Sequence, residues 1–101
     1  MGINRAVQNA YFNAYTIDVN KEMSFENFRR WLKRFDMDKD GRLSKDDMER
    51  AIRTTGAWFP KSKARNAIRA AGRKENGFIH DDEIIYLVEF ARKQLDLKIV
   101  D

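Results

Sequence analysis

No cysteine occurs among the 101 residues, which removes disulfide frameworks, thiolate zinc sites and cysteine nucleophiles together and fits a reducing compartment. Any metal chemistry here is oxygen chemistry. Histidine is nearly absent as well. The single one, His80, lacks the second placed group that acid–base work requires and reads as a surface or capping side chain, so no enzyme activity is expected. Long apolar runs are missing: Ile84-Ile85-Tyr86-Leu87-Val88 is the longest, far below the roughly 20 residues that cross a bilayer. The N-terminus has no signal-peptide h-region, and Ala6 stands where the myristoylation pattern opened by Met1-Gly2 wants Ser or Thr. The expectation is a soluble, intracellular, cytoplasmic or nuclear monomer. With 43% apolar residues the chain can bury one modest core.

Strand-like alternation of useful length is also absent. From Phe25 onward apolar residues recur at helical spacing in four blocks, broken by short stretches rich in Asp, Gly or Pro. Ser24 is a natural N-cap for a helix over about 24–35, with Phe25, Phe28, Leu32 and Phe35 along one face and Trp31 beside them. A second helix, about 45–55, carries Met48, Ala51 and Ile52 and ends at Gly56. After the linker Ala57-Trp58-Phe59-Pro60, a third helix spans about 61–71 through Ala64, Ala67, Ile68 and Ala71, and a fourth about 81–95 through Ile84, Leu87, Val88, Ala91 and Leu95. Val7, Ala10, Tyr11 and Ala14 suggest a shorter helix over 4–15. The fold expected is all-α, with residues 1–23 as an N-terminal helical extension and 24–97 as a domain of two helix–loop–helix units, 24–55 and 61–95.

Between the first two helices lies Asp36-Met37-Asp38-Lys39-Asp40-Gly41-Arg42-Leu43-Ser44-Lys45-Asp46-Asp47. Oxygen-bearing side chains stand at positions 1, 3, 5, 9 and 12 of a twelve-residue loop, with glycine at 6. A hard divalent cation wants six or more oxygens at about 2.3–2.6 Å, and alternate carboxylates converge only if the chain turns sharply, as Gly41 allows. The candidate ligands are Asp36, Asp38, Asp40, the Arg42 carbonyl, Ser44 and Asp47, with Ca²⁺ as the ion and Mg²⁺ as its competitor. Asp and Gly are also ordinary turn residues, but the joint placement exceeds what a solvated turn needs. Asp47 is shorter than the glutamate that would bind bidentately at position 12, which pushes the site toward six ligands and Mg²⁺.

Gly77 lies 36 residues after Gly41, and the same frame laid on 72–83 puts Gly72, Lys74 and Asn76 at positions 1, 3 and 5, Ile79 at 8, His80 at 9 and Glu83 at 12. Lys74 brings a positive charge where an oxygen is needed, so this loop is expected to stay without a cation. Residues 25 to about 95 thus resemble the calmodulin-like EF-hand family, in particular small plant-type members with one working and one degenerate hand. That resemblance implies a paired lobe in which Leu43 and Ile79 meet across a short two-stranded bridge. It also implies a calcium sensor whose apolar groove, built from Phe28, Leu32, Met48, Ile52, Ile68 and Leu87, receives a partner protein's helix. A permanently filled structural or buffering module is the alternative of the same class.

From Arg50 to Lys74 the chain holds eight cations and no acid. Since the whole chain carries +4, the remainder carries −4, and such segregation suggests an anionic partner: an acidic protein segment, an anionic membrane or nucleic acid. Lys61, Arg65, Arg69 and Arg73 stand four apart, the spacing of a cationic stripe on a helix. A solvated helix face explains the same charges equally well.

Overall fold

Ser24 begins the first helix as expected, its hydroxyl accepting the Asn27 amide at 3.1 Å. The computed structural model describes residues 17–100, so the helix expected over 4–15 lies outside the described residues. Helix α1 (Phe25–Lys33) turns Phe28, Trp31 and Leu32 inward, and Trp31 meets the edge of Phe35 with ring centroids 5.6 Å apart. Strand β2 (Arg42–Ser44) and helix α2 (Lys45–Thr54) follow, then α3 (Pro60–Ala71) and β3 (Phe78–His80). Before them all stands β1 (Glu22–Met23), and the chain closes with α4 (Val88–Gln94) and β4 (Lys98–Ile99).

The 36-residue repeat has physical content. Phe28, Trp31, Leu32 and Phe35 of the first unit correspond to Ala64, Ala67, Ile68 and Ala71 of the second, and except for partly buried Ile68 all are buried. The alanines let α3 approach α2 closely, while the aromatic residues of α1 fill the space opposite. The bridge forms in the expected register: β2 and β3 run antiparallel with Leu43 opposite Ile79, both buried.

Two features depart from the sequence reading. Residues 81–87 wind as a 3₁₀ helix before α4 begins. With three residues per turn, Ile84 and Leu87 share the inner face while Ile85 and Tyr86 are exposed. The second departure corrects the fold class. The chain is mixed α/β, not all-α, because β1 and β4 form a second pair, a parallel one, joining Glu22 to Lys98 and Met23 to Ile99. Asp96, with φ +59°, turns the chain after α4, and Leu97 and Ile99 then bury themselves in the core. The Arg92 guanidinium secures this strap through two bonds to the Ile99 carbonyl, at 2.9 and 2.6 Å. Strands of two residues are too short to register as a period, which is why they escaped the sequence pattern.

Candidate metal centre

The loop over 36–47 has the backbone of a closed cup. Asp36, nearly buried, stands at its mouth and accepts the Gly41 amide at 2.9 Å and the Asp40 amide at 3.4 Å. Gly41 takes φ +81°, and Lys39 is also left-handed at φ +56°, a conformation uncommon for a residue with a side chain. The Asp81 amide donates to the Gly41 carbonyl. Because bonded and non-bonded pairs alternate along an antiparallel ladder, both backbone groups of Arg42 face away from β3. Its amide meets the Asp40 carboxylate at 3.2 Å, so the Arg42 carbonyl lies on the loop side, as a ligand would.

Side chains tell a different story. Asp40 is held by the Arg42 guanidinium at 3.0 Å, which keeps its carboxyl below the usual range. Arg42 also reaches Glu75 of the second loop and lies over the Phe78 ring, 4.1 Å from its centroid. Ser44 caps α2: its hydroxyl accepts the Asp47 amide at 3.1 Å while Asp47 Oδ2 accepts the Ser44 amide at 3.0 Å. Asp47 Oδ1 pairs with Arg50 at 2.7 Å. Asp38 is exposed. Among the described residues no three His, Asp or Glu side chains gather closely enough to hold a metal ion. The donors therefore fit a hard cation in chemical type and chain order, while Arg42, Arg50 and the α2 cap hold the carboxylates apart.

The second loop closes on itself. Glu83, 2% exposed, accepts the Arg73 and Lys74 amides on one oxygen, both at 2.8 Å, and the His80 amide on the other at 2.9 Å. Burial alone would push this carboxyl up, yet the three backbone bonds outweigh it and hold it below the ordinary value. A Cβ on Gly72 would lie 2.8 Å from the carbonyl oxygens of Ile68 and Phe78, so the chain has collapsed where the first loop carries Asp36. The twelve-residue frame places Glu83 at a ligand position, whereas in the structure it ties its own loop. A glutamate at position 12 with no oxygens at 1 and 3 was the available signal.

Of the residues assigned to a partner groove, Phe28, Leu32, Met48, Ile52 and Leu87 are no more than 1% exposed and Ile68 is partly buried; together they form core. On the basic face, Lys61, Arg65 and Arg69 are exposed along α3, whereas Arg73 lies beyond its end, stacked over Tyr86 at 3.9 Å. Arg50, Arg53 and Lys74 pair with Asp47, Glu49 and Asp82. No family model, curated protein or solved structure matches the chain.

Proposed function

We propose that this is an intracellular, non-enzymatic binding module that takes one divalent cation, Ca²⁺ or Mg²⁺, in the loop over 36–47 and responds to it as a sensor and adaptor for a partner protein. The observation that carries the reading is the loop's backbone: Asp36 at the mouth, left-handed turns at Lys39 and Gly41, and the Arg42 carbonyl on the loop side. It resembles the EF-hand frame expected from the spacing. Asp36, Asp38, Asp40, the Arg42 carbonyl, Ser44 and Asp47 would hold the ion, which when bound supplies the positive charge that draws these oxygens together. To reach it, Asp40 must leave the Arg42 guanidinium and Asp47 must leave Arg50. Occupancy therefore remakes contacts at the start of α2 and at the bridge to the second loop, the two places from which a change can spread to Met48 and Ile79.

Titration calorimetry of the chain with Ca²⁺ and then Mg²⁺ tests this. One-site binding is expected, abolished by Asp36→Asn combined with Asp40→Asn; absence of binding at millimolar cation would overturn the reading. A second reading, a filled module that stays shut, is favoured by the burial of every groove residue but Ile68 to 1% exposure or less.

A further inference from the structure

At the corner between α2 and α3, Trp58 and Phe59 are 78% and 72% exposed, the two most exposed large apolar side chains among the described residues. Nothing loose holds them there. Gly56 turns at φ +78°, the Thr55 hydroxyl accepts the Ala57 amide at 3.3 Å and donates to the Ile52 carbonyl, and Pro60 starts α3 immediately after. Phe59 itself sits at φ +57°, ψ +58°, a left-handed conformation that is costly for a bulky residue and more so before proline. A strained, fixed turn that aims two aromatic rings at water calls for a function.

The charge around the corner narrows it. Lys61, Lys63, Arg65 and Arg69 follow within the next turns of α3, and among the described residues none has an acidic partner within salt-bridge distance. This cluster is distinct from Arg50, Arg53 and Lys74, whose charges are already paired. We propose that this corner docks the protein on an anionic lipid surface, Trp58 and Phe59 entering the headgroup region and the α3 cations meeting the phosphates and carboxylates around them. Tryptophan favours that interface because its ring is apolar and its N–H polar, and basic residues beside an apolar wedge supply the second of the two signals that stable attachment needs. The ring geometry weighs against single-stranded nucleic acid: the centroids are 6.4 Å apart and the planes inclined by 45°, so the rings offer neither a flat platform nor parallel walls for a base. The hollow beside Trp58, about 300 Å³ and lined by Thr55, Gly56, Lys63 and Asp96 among others, leaves Phe59, Lys61, Arg65 and Arg69 outside it, so a peptide seated there would not use them.

The test uses the full chain in chelator, so that its outcome is separate from that of the cation loop. Sedimentation with phosphatidylcholine vesicles containing about 30% phosphatidylserine should show binding that weakens from roughly 0.05 to 0.5 M salt, with none to pure phosphatidylcholine. Trp31 is buried, so a blue shift and reduced acrylamide quenching on vesicle addition report Trp58. Trp58→Ala with Phe59→Asn, the latter chosen because asparagine tolerates the left-handed turn, should cut binding at least tenfold. Lys61→Gln, Arg65→Gln and Arg69→Gln together should cut it about a hundredfold, near fivefold per cation. No binding to the anionic vesicles at low salt overturns the proposal. So does binding unaffected by the aromatic pair, or a tenfold preference for a single-stranded oligonucleotide or a polyglutamate peptide over the vesicles.

Discussion

Replacing Glu83 by glutamine keeps the shape of the side chain and removes its charge, in a site where the carboxylate accepts three backbone amides at 2.8–2.9 Å and is 2% exposed. Glutamine has one acceptor oxygen. If that oxygen keeps Arg73 and Lys74, its NH₂ faces the His80 N–H; if it keeps His80, two amides lose their acceptor. Bonds to a charged acceptor contribute about 1.5–3 kcal/mol each, and a buried N–H left unmatched costs about 1–3 kcal/mol, so a loss near 3 kcal/mol is expected. With a urea slope of about 1.5 kcal/mol per M for a domain of this size, the midpoint should fall by about 2 M. The pH dependence supplies a second reading. A carboxyl held below its unfolded value stabilises the fold fully above that value, and the contribution is lost as pH falls through the folded one. The wild-type chain should therefore lose stability on acidification below about pH 4.5, and the Gln variant should lose less over that window. A midpoint shift under about 0.5 M urea, or an unchanged acid limb, would refute the view that the Glu83 carboxylate ties the second loop together.

Asp47→Glu lengthens the position-12 side chain to that of Glu83, whose second oxygen crosses its loop; calorimetry should show Ca²⁺ affinity raised at least tenfold relative to Mg²⁺, and an unchanged ratio would contradict the ligand assignment. Arg50→Gln frees Asp47 Oδ1 at the expense of a part-buried pair contributing about 1 kcal/mol, so cation affinity should rise two- to fivefold; a fall would show that Arg50 helps the site. Gly72→Ala places a methyl 2.8 Å from two carbonyl oxygens, and thermal unfolding should show a loss of about 2–3 kcal/mol, whereas a loss below about 0.5 kcal/mol would mean that the second loop yields freely.

Helices were legible where one side chain pattern served both local and global needs. Ser24, Gly56 and the alanines of α3 each announce a boundary or a close approach, and the register of Leu43 on Ile79 followed from the 36-residue repeat. The parallel pair of β1 and β4 was not legible, because what makes it is remote: Met23 and Ile99 are separated by almost the whole domain, and only Asp96 in a left-handed turn and the Arg92 clamp bring the strap back. At the candidate site, ligand order was readable from spacing. The competition was not, since the sequence offers Arg42 as a carbonyl ligand and Arg50 as one cation of the basic segment, and neither role shows their guanidinium groups on Asp40 and Asp47.

Magnitudes decide between the sensor and the shut module. Opening the groove would expose Phe28, Leu32, Met48, Ile52 and Leu87, each now buried, at about 1.5–3 kcal/mol apiece, or on the order of 10 kcal/mol for the set. A cation present at a hundredfold excess over its dissociation constant contributes about 2.7 kcal/mol, and here part of that is offset by the ion pairs it displaces. One occupied loop therefore cannot hold the groove open in water. On the proposed function, a partner helix that reburied the same side chains could, so opening would belong to a ternary complex, and the coupling would be reciprocal: whatever factor the cation added to helix affinity, the helix would add to cation affinity. Binding of a hydrophobic dye should accordingly change little on adding Ca²⁺ alone, and a large rise without any partner would show that the core is far less costly to open than its burial implies.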